Sequence, residues 1–147
     1  MWNPPSWTAA AVVSGLVWSP ALNYGALTPT SPSSPAEAIS PKGFRTVIEL
    51  NVTGTWLMSH AAATRCFMPG DGGKILSVTL SPHNGMPGMV HSGAARAAVE
   101  NMMRTLAIEW SRFGITTCSI AAGQFATETL LTKYPRELVD NIAATIP

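Results

Sequence analysis

Two short apolar runs rich in β-branched residues, KILSVTLS (Lys74–Ser81) and ITTCSIAAG (Ile115–Gly123), bracket one long helical pattern, VHSGAARAAVENMMRTLAIEW (Val90–Trp110). Both runs are continuously apolar rather than alternating, which predicts buried strands. With helices between them, this pattern indicates an α/β chain built on a parallel sheet covered by helices.

The long helix carries an apolar stripe at Ala95, Val99, Met102, Leu106, Trp110 and Phe113, and Gly114 is a natural left-handed stop. On another face Gly93, Ala94, Ala97, Ala98 and Asn101 are small, so a neighbouring helix can come close. Glu100 and Arg104 form an exposed i,i+4 pair. Upstream, Ser40 and Pro41 read as the N-cap and first position of a helix running to about Phe67, with Phe44, Val47 and Ile48 at helical spacing. Thr53, Gly54 and Thr55 are poor material for its middle. Either the helix is distorted there or something approaches its backbone closely. MPGDGG (Met68–Gly73) is a turn, and a last helix is expected from about Pro135 to Thr145. Two or three strands are too few for a self-sufficient doubly wound domain, so the rest of the sheet is missing or supplied by another chain.

At 147 residues the chain is most simply one domain with a sizeable core. Nine Lys plus Arg against eight Asp plus Glu give a net charge of +1, with no basic footprint for nucleic acid. Seven of the twelve prolines lie at or before Pro41. Residues 1–35 therefore read as a Pro/Ser-rich, loosely ordered head, with TPTSPSSP as a linker and WTAAAVVSGLVW (Trp7–Trp18) as a strand or a poorly specified buried segment. That run is about 12 residues against the ~20 that span a bilayer, so no membrane span is expected. No positive n-region precedes it, which argues against export. Cys66 and Cys118 match no metal spacing and read as buried structural thiols, in keeping with a cytoplasmic location.

From about Ser34 to Pro147 these pieces, in this order, resemble the C-terminal half of the short-chain dehydrogenase/reductase family, Rossmann-like NAD(P)-dependent oxidoreductases. The resemblance rests on ELNVTGTW, the strand KILSVTLS, the helix SGAARAAVENMMRTLAIEW followed by FGI, and AAGQFATET. It implies a partial Rossmann-like sheet and NAD or NADP as cofactor. It also implies a role for each matching residue. Asn51 takes the place of the helix asparagine of the proton relay. Ser77 or Ser81 stands for the substrate-orienting serine. Ser92 and Arg96 occupy the tyrosine and lysine positions of YxxxK, and Ala122, Gly123 and Thr127 match the PGxxxT segment at the nicotinamide end. Family members pair their two long helices with those of a second subunit. A homo-oligomer through the helices at 42–67 and 92–113 is the expected partnership, alongside a small-molecule substrate.

The sequence also departs from the family's pattern. A serine hydroxyl is a far weaker acid than a phenol, and arginine keeps its charge at any working pH, so the usual relay is compromised. The dienoyl-CoA reductase branch, to which HSGAARAAV is similar, also lacks the tyrosine, and a tyrosine elsewhere assists. Tyr24 and Tyr134 do not fall at that place. His83 and His91 flank the site and are candidate proton donors, or ordinary loop and cap residues; His60 reads as structural. Ser92 is equally readable as the helix N-cap. No glycine-rich turn follows a first strand, so the diphosphate and adenosine-ribose contacts are not visible, and NYGA (Asn23–Ala26) is only a short match to the family's NNAG turn. Two readings follow: an oxidoreductase of this family with impaired chemistry, transferring hydride to or from a carbonyl, alcohol or enoyl thioester, or a non-catalytic remnant that only self-associates through its long helices.

Overall fold

The computed structural model describes residues 10–11, 34–80 and 85–122, together with 136, 137, 140 and 144. In chain order come β1 (Ala10–Ala11), a 3-10 turn (Ala36–Ala38), α1 (Pro41–Ile48), α2 (Gly54–Ala62), β2 (Gly73–Leu80), α3 (Val90–Trp110), a 3-10 turn (Ser111–Phe113) and β3 (Ile115–Ala122). The strands form one parallel sheet in the order β1-β2-β3, with β2 and β3 paired from Gly73↔Ile115 to Leu80↔Ala122. The α/β class and parallel sheet predicted from the sequence are present. The apolar head run supplies β1, whose Ala10 and Ala11 pair with Lys74 and Ile75. TPTSPS (Thr28–Ser33) and NYGA lie outside the described residues, as does most of the expected last helix, of which Arg136, Glu137, Asp140 and Ala144 are helical.

Ser40 caps α1 as predicted, its hydroxyl accepting from the Gly43 N–H at 3.0 Å, with Pro41 at the first helical position. From Pro41 to Phe67 the chain is helical throughout, but two wide π turns interrupt it, Glu49–Thr53 and Ala63–Phe67. The N–H of Gly54 bonds the Glu49 carbonyl five residues back, and that of Met68 bonds Ala63 at 2.8 Å in the same way. Of the two alternatives for Gly54, distortion applies within this chain: a Cβ added there meets only the Glu49 oxygen, at 3.9 Å.

The reason for the π turns is the spacing of the buried side. Gly43, Val47, Asn51, Thr55, Ser59, Ala63 and Phe67 are all buried, each four residues after the last. Six steps of four advance the stripe about 240° around an ideal helix, and two one-residue π insertions take back about 200°. The last position therefore faces nearly as the first does.

The core joins Ala63, Phe67, Ile75, Val99, Met103, Leu106, Trp110 and Ile115. Odd-numbered residues of β2 and β3 face the helices: Ile75, Ser77, Thr79, Ile115 and Thr117 are buried, and Thr117 Oγ1 donates to the Met103 carbonyl at 2.6 Å. At the strand entrances the two tight turns interlock. Gly72 (φ 83°) leaves no room for a Cβ, which would stand 2.3 Å from the Gly114 oxygen, and Gly114 (φ 69°) ends the α3 segment as predicted.

Several expectations are corrected. Met103, not Met102, completes the α3 stripe, because the buried steps run Ala95, Val99, Met103, Leu106, Trp110; Met102 packs at the margin. Phe44 is 36% exposed. Both cysteines are exposed rather than buried. Cys118 is an even-numbered β3 residue on the face away from the helices, where Ile120 is 51% exposed, and Cys66 sits in the second π turn beside exposed Thr64 and Arg65. Among the described residues, helices thus cover one face of the sheet. The carboxylate of Glu100 accepts from Thr79 Oγ1 at 2.9 Å, turned toward the sheet rather than standing in a surface pair with Arg104. His60 is exposed, with its ring 5.1 Å from that of Trp56. No helix among the described residues is long and apolar enough to cross a membrane.

Candidate active site

The side-chain bonds between α3 and the sheet fix how the helix is staggered over the strands. Thr79, one residue from the carboxyl end of β2, meets Glu100, while Thr117, early in β3, meets the Met103 carbonyl. Helix and strands therefore run in opposite directions. Ser92 and Arg96, about 12 and 6 Å of helix before Glu100, overhang the carboxyl ends of the strands. In open α/β sheets this is where ligands bind.

At that end the two helical segments are joined by one buried polar contact. Arg96 Nη1 donates to Asn51 Oδ1 across 45 residues of sequence. Asn51 Nδ2 donates to the Val47 carbonyl at 2.8 Å, and the Asn51 carbonyl accepts from Thr55 Oγ1 at 2.6 Å. The amide has one satisfactory orientation. A guanidinium has only donors and a carbonyl only accepts, so the oxygen must face Arg96 and the nitrogen Val47. The π turn that contains Asn51 is what brings its side chain onto this line.

Arg96 is 4% exposed and Asn51 6%. Burial pushes the Arg96 guanidinium below its ordinary range, yet arginine starts so high that it remains a cation. Ser92 lies one turn before Arg96 on the same face and is also buried. It is not the N-cap: Met89 holds that position, and Ser92 is the third residue of the helix. His91 is not an exposed loop residue either. It is 1% exposed, its Nδ1 accepts from the Ser92 N–H at 2.9 Å, and its Nε2 has no partner among the described residues. Burial holds its pKa below 6.5, partly offset by the Met89 backbone.

Ser77 faces the helices at 0% exposure with its hydroxyl unpartnered among the described residues, two residues further than Thr79 from the end that Ser92 overhangs. Ala122 closes β3 and is half-buried, at the same end. Ser81, Gly123, Thr127, His83, Tyr24 and Tyr134 lie outside the described residues. Two surface depressions run along α1 at Ile39, Pro41, Phe44 and Arg45 and on to Leu50, and neither is lined by Asn51 or Arg96. Sequence reasoning missed Val47 and Thr55 as the partners that fix Asn51. Their spacing of four on either side of it was the available signal, obscured by the mix of polar and apolar types.

The donor set fits the nicotinamide end of a dinucleotide. Arg96 has five N–H groups and gives one to Asn51, which leaves donors suited to ribose hydroxyls beside the strand ends. No glycine-rich turn between a strand and a helix is present among the described residues.

Residues 21–147 match the family described as enoyl-(acyl carrier protein) reductase. Over 91 residues, 60% of this chain, the sequence is 43% identical to a probable 2,4-dienoyl-CoA reductase of Bacillus subtilis, of which it covers 36%. Among solved structures, a citronellol catabolism dehydrogenase of Pseudomonas aeruginosa matches with a TM-score of 0.61 and 39% identity over 69% of this chain and 42% of that one. A protein of Beutenbergia cavernae described as an NAD(P) dependent gluconate 5-dehydrogenase, with NADP bound, matches with a TM-score of 0.72 and 26% identity over 78% of this chain and 47% of that one. The chain thus spans less than half the length of these relatives. The parallel sheet, the helix asparagine bonded to the residue four after Ser92, and these matches lead to one assignment: the chain belongs to the short-chain dehydrogenase/reductase family.

Proposed function

We propose that this chain carries the catalytic half of an NAD(P)-dependent oxidoreductase suited to a conjugated acyl thioester, with turnover impaired in the chain taken alone. The observation that supports it is the buried bond from Arg96 to Asn51, which ties the two helices at the carboxyl ends of the strands. When bound, the dinucleotide supplies or accepts hydride. Arg96 would orient its ribose or hold a thioester oxygen, Asn51 would fix Arg96, and Ala122, Gly123 and Thr127 would border the nicotinamide. Ser92 and either Ser77 or Ser81 would bind the substrate oxygen.

An alcohol–ketone interconversion needs a proton donor of suitable pKa at that oxygen. Arg96 cannot release a proton and Ser92 is too weak an acid. Hydride addition to a conjugated thioester makes a weaker demand, because the negative charge spreads over the acyl group. Similarity to the Bacillus subtilis dienoyl-CoA reductase favours the same substrate class.

The outward sides of both helical segments support the proposed homo-oligomer. Leu50 and Leu57 are exposed on one, and on α3 exposed Ala94, Ala97, Asn101, Thr105 and Ile108 follow at spacings of three and four. Ile108 is 79% exposed. Free, exposed thiols at Cys66 and Cys118 suit the reducing cytoplasm. The serine at position 92 favours a second reading, a chain that self-associates without turnover.

Titration of NADH and NADPH into the purified protein, followed by nicotinamide fluorescence, tests both. Weak, millimolar binding is expected. Micromolar affinity overturns the impaired reading, and no binding at any concentration overturns the oxidoreductase reading. Installing Ser92→Tyr with Arg96→Lys is expected to give no turnover; activity in that variant would show that the relay groups are the only defect.

A further inference from the structure

A buried cation that cannot neutralise itself is costly unless an anion compensates it. Arg96 is such a cation: 4% exposed, with the neutral amide oxygen of Asn51 as its partner and no carboxylate paired with it among the described residues. The acids on the elements around it are engaged elsewhere. Glu49 accepts from Thr53 at 3.2 Å, and Glu100 accepts from Thr79. Asn51 offers Arg96 only a neutral amide oxygen, while its nitrogen gives one of its two hydrogens to the Val47 carbonyl. Ser92, one turn away on the same face, adds a hydroxyl that can donate.

We propose that Arg96, with Ser92, is a receptor for a small oxyanion that enters from the carboxyl ends of β2 and β3 and supplies the missing counter-charge. The planar fork of a guanidinium matches two oxygens of one anion, which a lysine ammonium at this position does not. The site needs no dinucleotide, so its success or failure is separate from that of the function proposed above.

The oxyanion can come from a carboxylate or from a phosphate ester, and two arms distinguish them. Sodium acetate or sodium phosphate is titrated into the whole protein at constant ionic strength, while the Arg96 Nε–H resonance and Tm are followed. A saturable shift of that resonance is expected, with a Tm rise of about 3 °C near saturation that is lost in Arg96→Met. Response to acetate identifies a carboxylate-like ligand, response to phosphate alone a phosphate ester, and either supports the site. If Arg96→Met does not fold, Arg96→Lys, which keeps the charge without the fork, is expected to weaken the response at least fivefold. An Arg96 resonance that neither anion moves, or an equal Tm rise in Arg96→Met, overturns the proposal.

Discussion

Along residues 43–67 the buried positions step by four throughout, whereas along α3 the buried apolar positions step by four, four, three and four from Ala95 to Trp110. The mixed spacing keeps the α3 stripe within about 80° with a regular backbone. The uniform spacing cannot do so, and the backbone adapts instead with two π turns. The difference has a chemical consequence. The irregular segment bears the short side chain, Asn51, which needs the backbone to aim it, while the regular helix bears the long one, Arg96, which reaches across unaided. Alignment of the core and placement of the polar contact are two results of one irregularity.

Phe67 tests that link most severely, because it ends the stripe, lies in the second π turn and is 2% exposed. Phe67→Ala is expected to cost about 3–5 kcal/mol in urea unfolding. A cost under about 1 kcal/mol would mean that the stripe's alignment is not what holds this segment to the sheet. Next comes Asn51→Ala, which leaves Arg96 without its acceptor and the Val47 carbonyl without the amide. A loss of about 2 kcal/mol is expected, since hydrogen bonds to charged groups are the stronger ones. Equal stability of the variant would show that water replaces the amide at no cost.

His91, at the start of the regular helix, adds a pH dependence. Its folded pKa is held below 6.5 by burial, so in the window beneath 6.5 the unfolded chain binds a proton that the folded one does not. Stability is therefore level above 6.5 and falls as pH drops through that window, with a slope of at most about 1.4 kcal/mol per pH unit for one proton. His91→Phe should flatten this slope in pH-dependent melts, and an unchanged slope would assign it to another group. The smallest effect expected is a gain. Gly54 has helical φ, and an added Cβ meets only a carbonyl at 3.9 Å, so Gly54→Ala should stabilise by about 0.5–1 kcal/mol. A loss of stability at concentrations where the chain self-associates would instead place Gly54 in a close helix pair.

The sheet, α3 and the caps were legible because each is announced locally. β-branched runs gave the strands within a residue, Ser40-Pro41 gave a helix start and Gly114 a stop. The irregularity at Gly54 was visible as poor helix material, though not its π character. Other features escaped because the deciding neighbour is distant in sequence. Whether Met102 or Met103 faces the core is a matter of one residue's rotation, settled by the sheet beneath. Cys118 looks buried in an apolar run, but its even register turns it away from the helices. His91 and Ser92 resemble a helix entrance, yet the cap lies at Met89, which draws both inside. Glu100 suggests a surface pair until Thr79 is placed opposite it.

By itself the sequence determined the order of helices and strands, the parallel class of the sheet and the family, because hydrophobic period, capping residues and the matching segments are properties of short stretches. Only the tertiary structure decided that Asn51 and Arg96 meet, which amide atom faces the guanidinium, and that the charge is enclosed without a paired carboxylate among the described residues. Those facts depend on the angular phase of two helices at their crossing, and a single π insertion shifts that phase by about 100° without leaving a clear mark in residue type.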